Sequence, residues 1–251
     1  MNDRYHRNRI YLDKSEQEII KNCPIIFGGC GIGSIIAECA LRLGFEHITI
    51  IDGDQVELSN LNRQNYTEND ITANKTQTLK SRLLSINAEA TINIYDGFIS
   101  QDNAEELIAG HQIAINAIDF TSDIPIRFDE ICREQNIPIL HPYNLGWGSL
   151  VTVVSPQGLP ITNIERNDEP FSELTMVEYV SSYLKFWGQP QPWLDQVLKN
   201  FKEEKEPFPP PQLAIGSWGV AAMCSHILFN LATGKAVKKF PEFYFSSLSY
   251  V

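Results

Sequence analysis

The chain has 251 residues, 43% of them hydrophobic, with a formal net charge of -11 at pH 7. That length and apolar content suffice to bury a sizeable core in one domain. The acidic balance excludes the basic surface that nucleic acid or an anionic membrane requires, and no apolar run approaching the ~20 residues of a bilayer span is evident. Five scattered cysteines without paired spacing suggest a reducing compartment, and the polar N-terminus has no signal-peptide core, so a cytoplasmic protein is expected.

Residues 1–22 are polar and read as an arm with a short helix outside the core. Cys23–Phe27 is a short apolar strand stopping at glycines, and Ser34–Leu43 has helical periodicity closed by Gly44. His47–Ile51 is a second strand with Asp52 at its carboxyl end. A helix over Lys75–Leu84, a strand over Thr91–Tyr95 and a short helix over Ala104–Ala109 follow. Gln112–Ile118 is a buried strand, Ile126–Gln135 a helix, and Ile137–Leu140 and Gly148–Val154 two more strands. This alternation predicts an α/β fold with a doubly wound, mostly parallel, Rossmann-like sheet.

After residue 156 the texture changes. Ser172–Trp187 and Trp193–Lys202 are amphipathic, with Trp193, Leu194, Val197, Leu198 and Phe201 on one face of the second. A proline- and charge-rich linker precedes a long apolar helix, Leu213–Thr233. The chain therefore divides into an arm (1–22), a nucleotide-binding core (23–156), a helical insertion (157–211) and a closing helix with tail (212–251), within a single domain. The aromatic-rich insertion reads as a docking wall or lid for a substrate tail, or as packing against the sheet or a second subunit.

The turn Gly28-Gly29-Cys30-Gly31-Ile32-Gly33 joins a strand to a helix. Such a turn lets backbone approach phosphate, and the helix N-terminus offers free N–H groups and partial positive charge. Asp52 stands where a carboxylate accepts ribose hydroxyls. Cys30 occupies the position where a dinucleotide fingerprint has glycine, so the turn alone separates neither ATP from NAD nor a nucleotide site from a tight turn. Cys30 itself is either a thiol activated at a helix N-terminus or a small residue in a crowded turn. His141, after a strand and before Pro142, reads as a loop histidine or a lining residue of the cleft.

The segment IIDGDQVELSNLNRQ, residues 50–64, is more specific. With the glycine turn before it, Lys75 after it and Asp119 beyond a buried strand, it resembles the ThiF/MoeB/HesA family, relatives of the ubiquitin-activating enzymes. The resemblance covers residues 1 to about 156 well and Leu213–Gly234 weakly. It implies an ATP-dependent adenylyltransferase that activates a carboxylate, that of a peptide or small ubiquitin-like or sulfur-carrier protein, as an acyl adenylate. By the same resemblance Gly28, Gly29, Gly31 and Gly33 cradle phosphate, and Asp52, Asp54, Asn60, Arg63 and Gln64 contact the nucleotide. Lys75 contacts the phosphates at the bond that breaks, and Asp119 holds Mg²⁺. In RYHRNRI, Arg7 matches the arginine that reaches into the partner's site, which implies a homodimer.

Three features depart from that family. The two C-x-x-C pairs of its structural zinc are absent, so no zinc is expected. Residues 133–223 hold no cysteine for a thioester or persulfide, and Cys224 falls in an apolar helix. The usual TDN about the metal aspartate is Ile118-Asp119-Phe120. The missing cysteine and Phe120 motivate a second reading, a non-catalytic nucleotide-binding or scaffold member; an NAD-dependent oxidoreductase leaves Asn60, Arg63, Lys75 and Asp119 unexplained.

Overall fold

The computed structural model describes residues 3–164, 171–206 and 208–248. Its elements in chain order are α1 (Lys14–Lys21), β1 (Pro24–Gly28), α2 (Ile32–Leu43), β2 (His47–Asp52), α3 (Lys75–Ile86), β3 (Thr91–Asp96), α4 (Ala104–Ile108) and β4 (Ile113–Asn116). There follow α5 (Ile124–Glu134), β5 (Ile139–Asn144), β6 (Gly148–Val154), α6 (Glu173–Phe186), α7 (Pro192–Lys202), α8 (Ala214–Ala232) and β7 (Tyr244–Ser247). The strands form one sheet in the order β3-β2-β1-β4-β5-β6-β7. Strands β1 to β5 run parallel, while β6 is antiparallel to both β5 and β7.

Successive strand side chains point to opposite faces, which makes two cores from one sheet. Ile25 and Phe27 of β1 face a layer built with α2, α3 and α8, whereas Ile26 faces the layer built with α4 to α7. Both faces of the central strands are therefore apolar, and their sequence runs lack alternation. Strand β1 pairs with β2 on one side and β4 on the other. The chain leaves those two carboxyl ends in opposite directions, which opens the crevice in which such sheets bind ligands.

Several expectations need correction. The arm is anchored and not merely peripheral: Tyr5 is buried and its hydroxyl donates to Glu46 Oε1 at 2.9 Å, and Ile20 of α1 is fully buried. The tail adds β7 at the sheet edge, where Tyr244–Ser247 pairs with Gly148–Val151. Strand β4 stops at Asn116, so Asp119 lies on the following loop. Helix α8, at 19 residues, is long and apolar enough to cross a membrane, contrary to the reading of the sequence. It packs along α2 and beneath β5 and β6, and Val220, Cys224 and Leu228 are buried there as core residues.

Candidate functional site

The glycine turn is held to its neighbours by backbone hydrogen bonds. Gly29 N–H donates to Ile51 O at 2.9 Å, and Ala117 N–H donates to Gly28 O at 2.8 Å. Gly29 has φ +94°, and a Cβ there would fall 2.3 Å from the Ala117 carbonyl oxygen. Only glycine fits. Gly31 is the N-cap of α2 and gives it no side-chain cap, which leaves the helix start available to an anion. Gly29 and Gly31 line the cleft; Gly28 lies against Ile118 and Gly33 looks toward Phe27, so these two shape the turn from behind.

Asp52 fixes the same turn from β2. Its Oδ2 accepts Cys30 N–H at 2.6 Å and its Oδ1 accepts Asp54 N–H at 2.8 Å. Burial raises its carboxyl above the ordinary range, opposed by the charge of Lys75. The Cys30 thiol is fully buried, and that burial, reinforced by the charge of Asp52, holds it well above its usual value. Of the two readings of Cys30, packing is the one the surroundings support.

The SNLNRQ segment enters as a 3-10 turn, Leu58–Asn60. Buried Glu38 of α2 steadies it from beneath, since Asn65 donates to that carboxylate and Arg82 Nε donates to it at 2.5 Å. Asn60 does not line the cleft. Its Oδ1 accepts Glu57 N–H at 3.0 Å and its carbonyl accepts Gln64 N–H at 2.9 Å, so it builds the turn that presents the next residues. Arg63 does line the cleft, braced by Ser59 O at 2.7 Å and Gln212 Oε1 at 2.7 Å. Gln64 also lines it, and its buried Oε1 has no hydrogen-bond partner among the described residues.

Lys75 begins α3 with a largely buried ammonium, 2.8 Å from Asp54 Oδ2. A cation in that position needs a partner, which Asp54 supplies from the cleft rim. Asp119 opens into the cleft from the loop after β4. The surrounding walls raise its carboxyl above the ordinary range, and the charge of Glu173 adds to this. Burial lowers the Arg63 guanidinium, while the charge of Asp119 works against that. The site thus gathers two cations and several carboxylates about one space.

These residues share a cleft of about 570 Å³ with the insertion. Glu173, at the start of α6, accepts Phe120 N–H on Oε1 at 3.0 Å and so ties the insertion to the Asp119 loop. Gln212 ties the proline-rich linker to Arg63 in the same way. Neither residue carried a sequence signal, because a glutamate at a helix start reads as a dipole partner and a glutamine beside prolines reads as linker. His141 is a buried strand residue rather than a loop one: its Nε2 lies 2.8 Å from Asp129 Oδ2, and Asn116 donates to Asp129 Oδ1 at 2.8 Å. Arg7 is exposed on the N-terminal 3-10 segment and does not line this cleft.

The chain belongs to the ThiF family, whose profile matches residues 5–244. It is similar to the SAMP-activating enzyme E1 of Haloferax volcanii, at 24% identity over 62% of this chain and 59% of that protein. It is also similar to the tRNA threonylcarbamoyladenosine dehydratase of Escherichia coli, at 31% identity over 53% of this chain and 50% of that one. The chain spans between half and three-fifths of the length of these curated relatives. In fold it matches the crystal structure of E. coli MccB with AMPCPP and MccA, with a TM-score of 0.71 and 19% identity, over 98% of this chain and 71% of that one. It is similar as well to the sulfur carrier protein ThiS adenylyltransferase of Bacillus subtilis, at 30% identity over 64% of this chain and 49% of that protein.

Proposed function

We propose that this chain is an ATP-dependent adenylyltransferase that activates the C-terminal carboxylate of a peptide or small protein as an acyl adenylate. The observation that carries this reading is the convergence of Gly29, Asp52, Arg63, Lys75 and Asp119, from five separate segments, on one cleft at the carboxyl ends of β1 and β4. A relative whose name specifies a sulfur carrier protein, the ThiS adenylyltransferase of Bacillus subtilis, supports the substrate class.

In the reaction a carboxylate oxygen forms a bond to the α-phosphorus of ATP while the bond from that phosphorus to the bridging oxygen breaks. Pyrophosphate departs with the electron pair. A terminal carboxyl, with a pKa of about 3.5, is already ionised at neutral pH, so no general base is needed. The residues instead align the reactants and offset charge on the phosphates. The glycine turn and the start of α2 receive phosphate oxygens, Lys75 and Arg63 supply positive charge, and Asp52 faces the ribose.

The carboxylates suit a hard cation. Asp119 and Glu173 crowd each other with like charge, and one or two carboxylates with substrate phosphates make a customary Mg²⁺ site. Among the described residues no group of three metal-ligating side chains exists, so Asp119 would hold the ion together with the nucleotide. Mg²⁺ would supply charge neutralisation on the phosphates. Arg7, exposed on the arm, fits a composite site in a homodimer, and five scattered cysteines without paired spacing fit a reducing, cytoplasmic setting.

The test is ATP–pyrophosphate exchange with candidate peptides. Asp119→Ala is expected to reduce exchange by about 10²-fold or more; undiminished exchange would remove Asp119 from its role. ATP binding without exchange for any peptide would favour a non-catalytic member of the family, a reading that Phe120 beside Asp119 motivates.

A further inference from the structure

Helix α7 carries Leu194, Val197, Leu198 and Phe201 on one face, at the spacing that ordinarily sinks a helix into a core. Here only Leu194 is buried, while Val197, Leu198 and Phe201 stay half-buried and line the cleft. Leu174 and Val177 of α6 line it as well. The only charged side chain that these two helices give the cleft, among the described residues, is Glu173, and it already accepts Phe120 N–H. These apolar walls form one lobe of the cleft that Phe120, Glu173 and Asp119 also line, the cleft that the adenylation reading gives to the reacting carboxylate.

The chemistry of that lobe bears on the substrate. A glycine end has no side chain and would leave three half-buried apolar residues of α7 against water. A charged end would find no partner on these walls and would lose hydration on entering. A large apolar side chain removes the walls and itself from water together.

Resting on the adenylation reading, we propose that the lobe between α6 and α7 is a specificity pocket for the terminal side chain of the peptide, and that it selects a large apolar residue such as leucine or phenylalanine over glycine. Val177, Val197 and Leu198 are then specificity-determining residues, and Leu174 and Phe201 complete the wall.

The test measures binding of N-terminally fluorescein-labelled peptides that are identical except for their last residue. The full chain is used, with a non-reacting ATP analogue present, and exchange is measured separately. A leucine or phenylalanine end is expected to bind at least about tenfold more tightly than a glycine end, the discrimination an apolar pocket can supply. Val197→Trp, and independently Val177→Trp from the opposite helix, fill the lobe and are expected to abolish that preference. Binding of the nucleotide analogue in the same samples reports whether each variant is folded. Equal or tighter binding of the glycine end, no binding of any peptide, or a preference that survives both folded variants would overturn the proposal. Selective, lobe-dependent binding without any exchange would refute adenylation and leave the pocket standing.

Discussion

Gly29→Ala tests whether the glycine turn is held by its neighbours or simply tolerates glycine. The new Cβ would lie 2.3 Å from the Ala117 carbonyl oxygen and 2.7 Å from its carbon, both backbone atoms that no rotamer change can move. The φ of +94° adds a conformational cost of about 1–2 kcal/mol for an L residue. For Ala117 to retreat, its hydrogen bond to Gly28 O has to stretch or break, at about 1 kcal/mol more. A loss of about 2–3 kcal/mol in total is expected by urea denaturation. Gly110→Ala is the matched control: φ is +82° there and, among the described residues beyond its chain neighbours, nothing lies within 4 Å of the new Cβ, so only the conformational part, about 1–2 kcal/mol, applies. The displaced loop carries Asp119 two residues further on, and ATP affinity by titration calorimetry is expected to fall at least about tenfold, the worth of one hydrogen bond to a charged group. If Gly29→Ala costs no more than Gly110→Ala, or if ATP binds unchanged, the turn is not packed as described and the reasoning fails.

Lys75→Met keeps the buried apolar stem and deletes the charge. Exchange should slow by about 10²-fold, whereas stability should change by less than about 1 kcal/mol because Asp54 is half-exposed and can hydrate; a full-rate variant would show that the ammonium serves only Asp54. Glu38→Gln probes the support beneath Arg63. Burial acts to raise the Glu38 carboxyl, but its bonds from Asn65, Arg82 and Arg42 prevail and hold it below the ordinary glutamate value of 4.5. A depressed folded value gives stability that is complete above about pH 4.5 and is lost as pH falls through the folded value. The wild type should therefore exceed the variant by about 1.5–3 kcal/mol at neutral pH, the worth of a hydrogen bond to a charged group, and the gap should close in acid. A gap that stays constant down to pH 3 would disprove the linkage.

Much of the site was legible because its parts are local. A strand, a glycine turn and a helix occupy consecutive residues, and a carboxylate at the end of the next strand needs no knowledge of distant contacts. Asp52, Arg63, Gln64 and Lys75 belong to ordered motifs, and the structure gathers them with Asp119 around one cleft. Asn60 shows where this reasoning stops: motif membership gave no means of telling a residue that contacts a ligand from one that shapes the turn presenting it. Edge strand β7 went unread because four residues after a long helix have too little pattern of their own, and they become a strand only by pairing with β6.

The sequence by itself determined the alternating α/β order, the glycine turn between strand and helix and the identity of the charged residues that follow it, since period and spacing along the chain encode these. Tertiary structure alone decided what closes the cleft. Glu173 meets the Phe120 backbone across 53 positions, and Gln212 meets Arg63 across 149, distances at which no local spacing survives. The sequence likewise showed that one face of α7 is apolar and left open what that face meets. An amphipathic helix needs an apolar partner, and only the packing of the insertion over the carboxyl ends of the sheet turned this one toward the cleft.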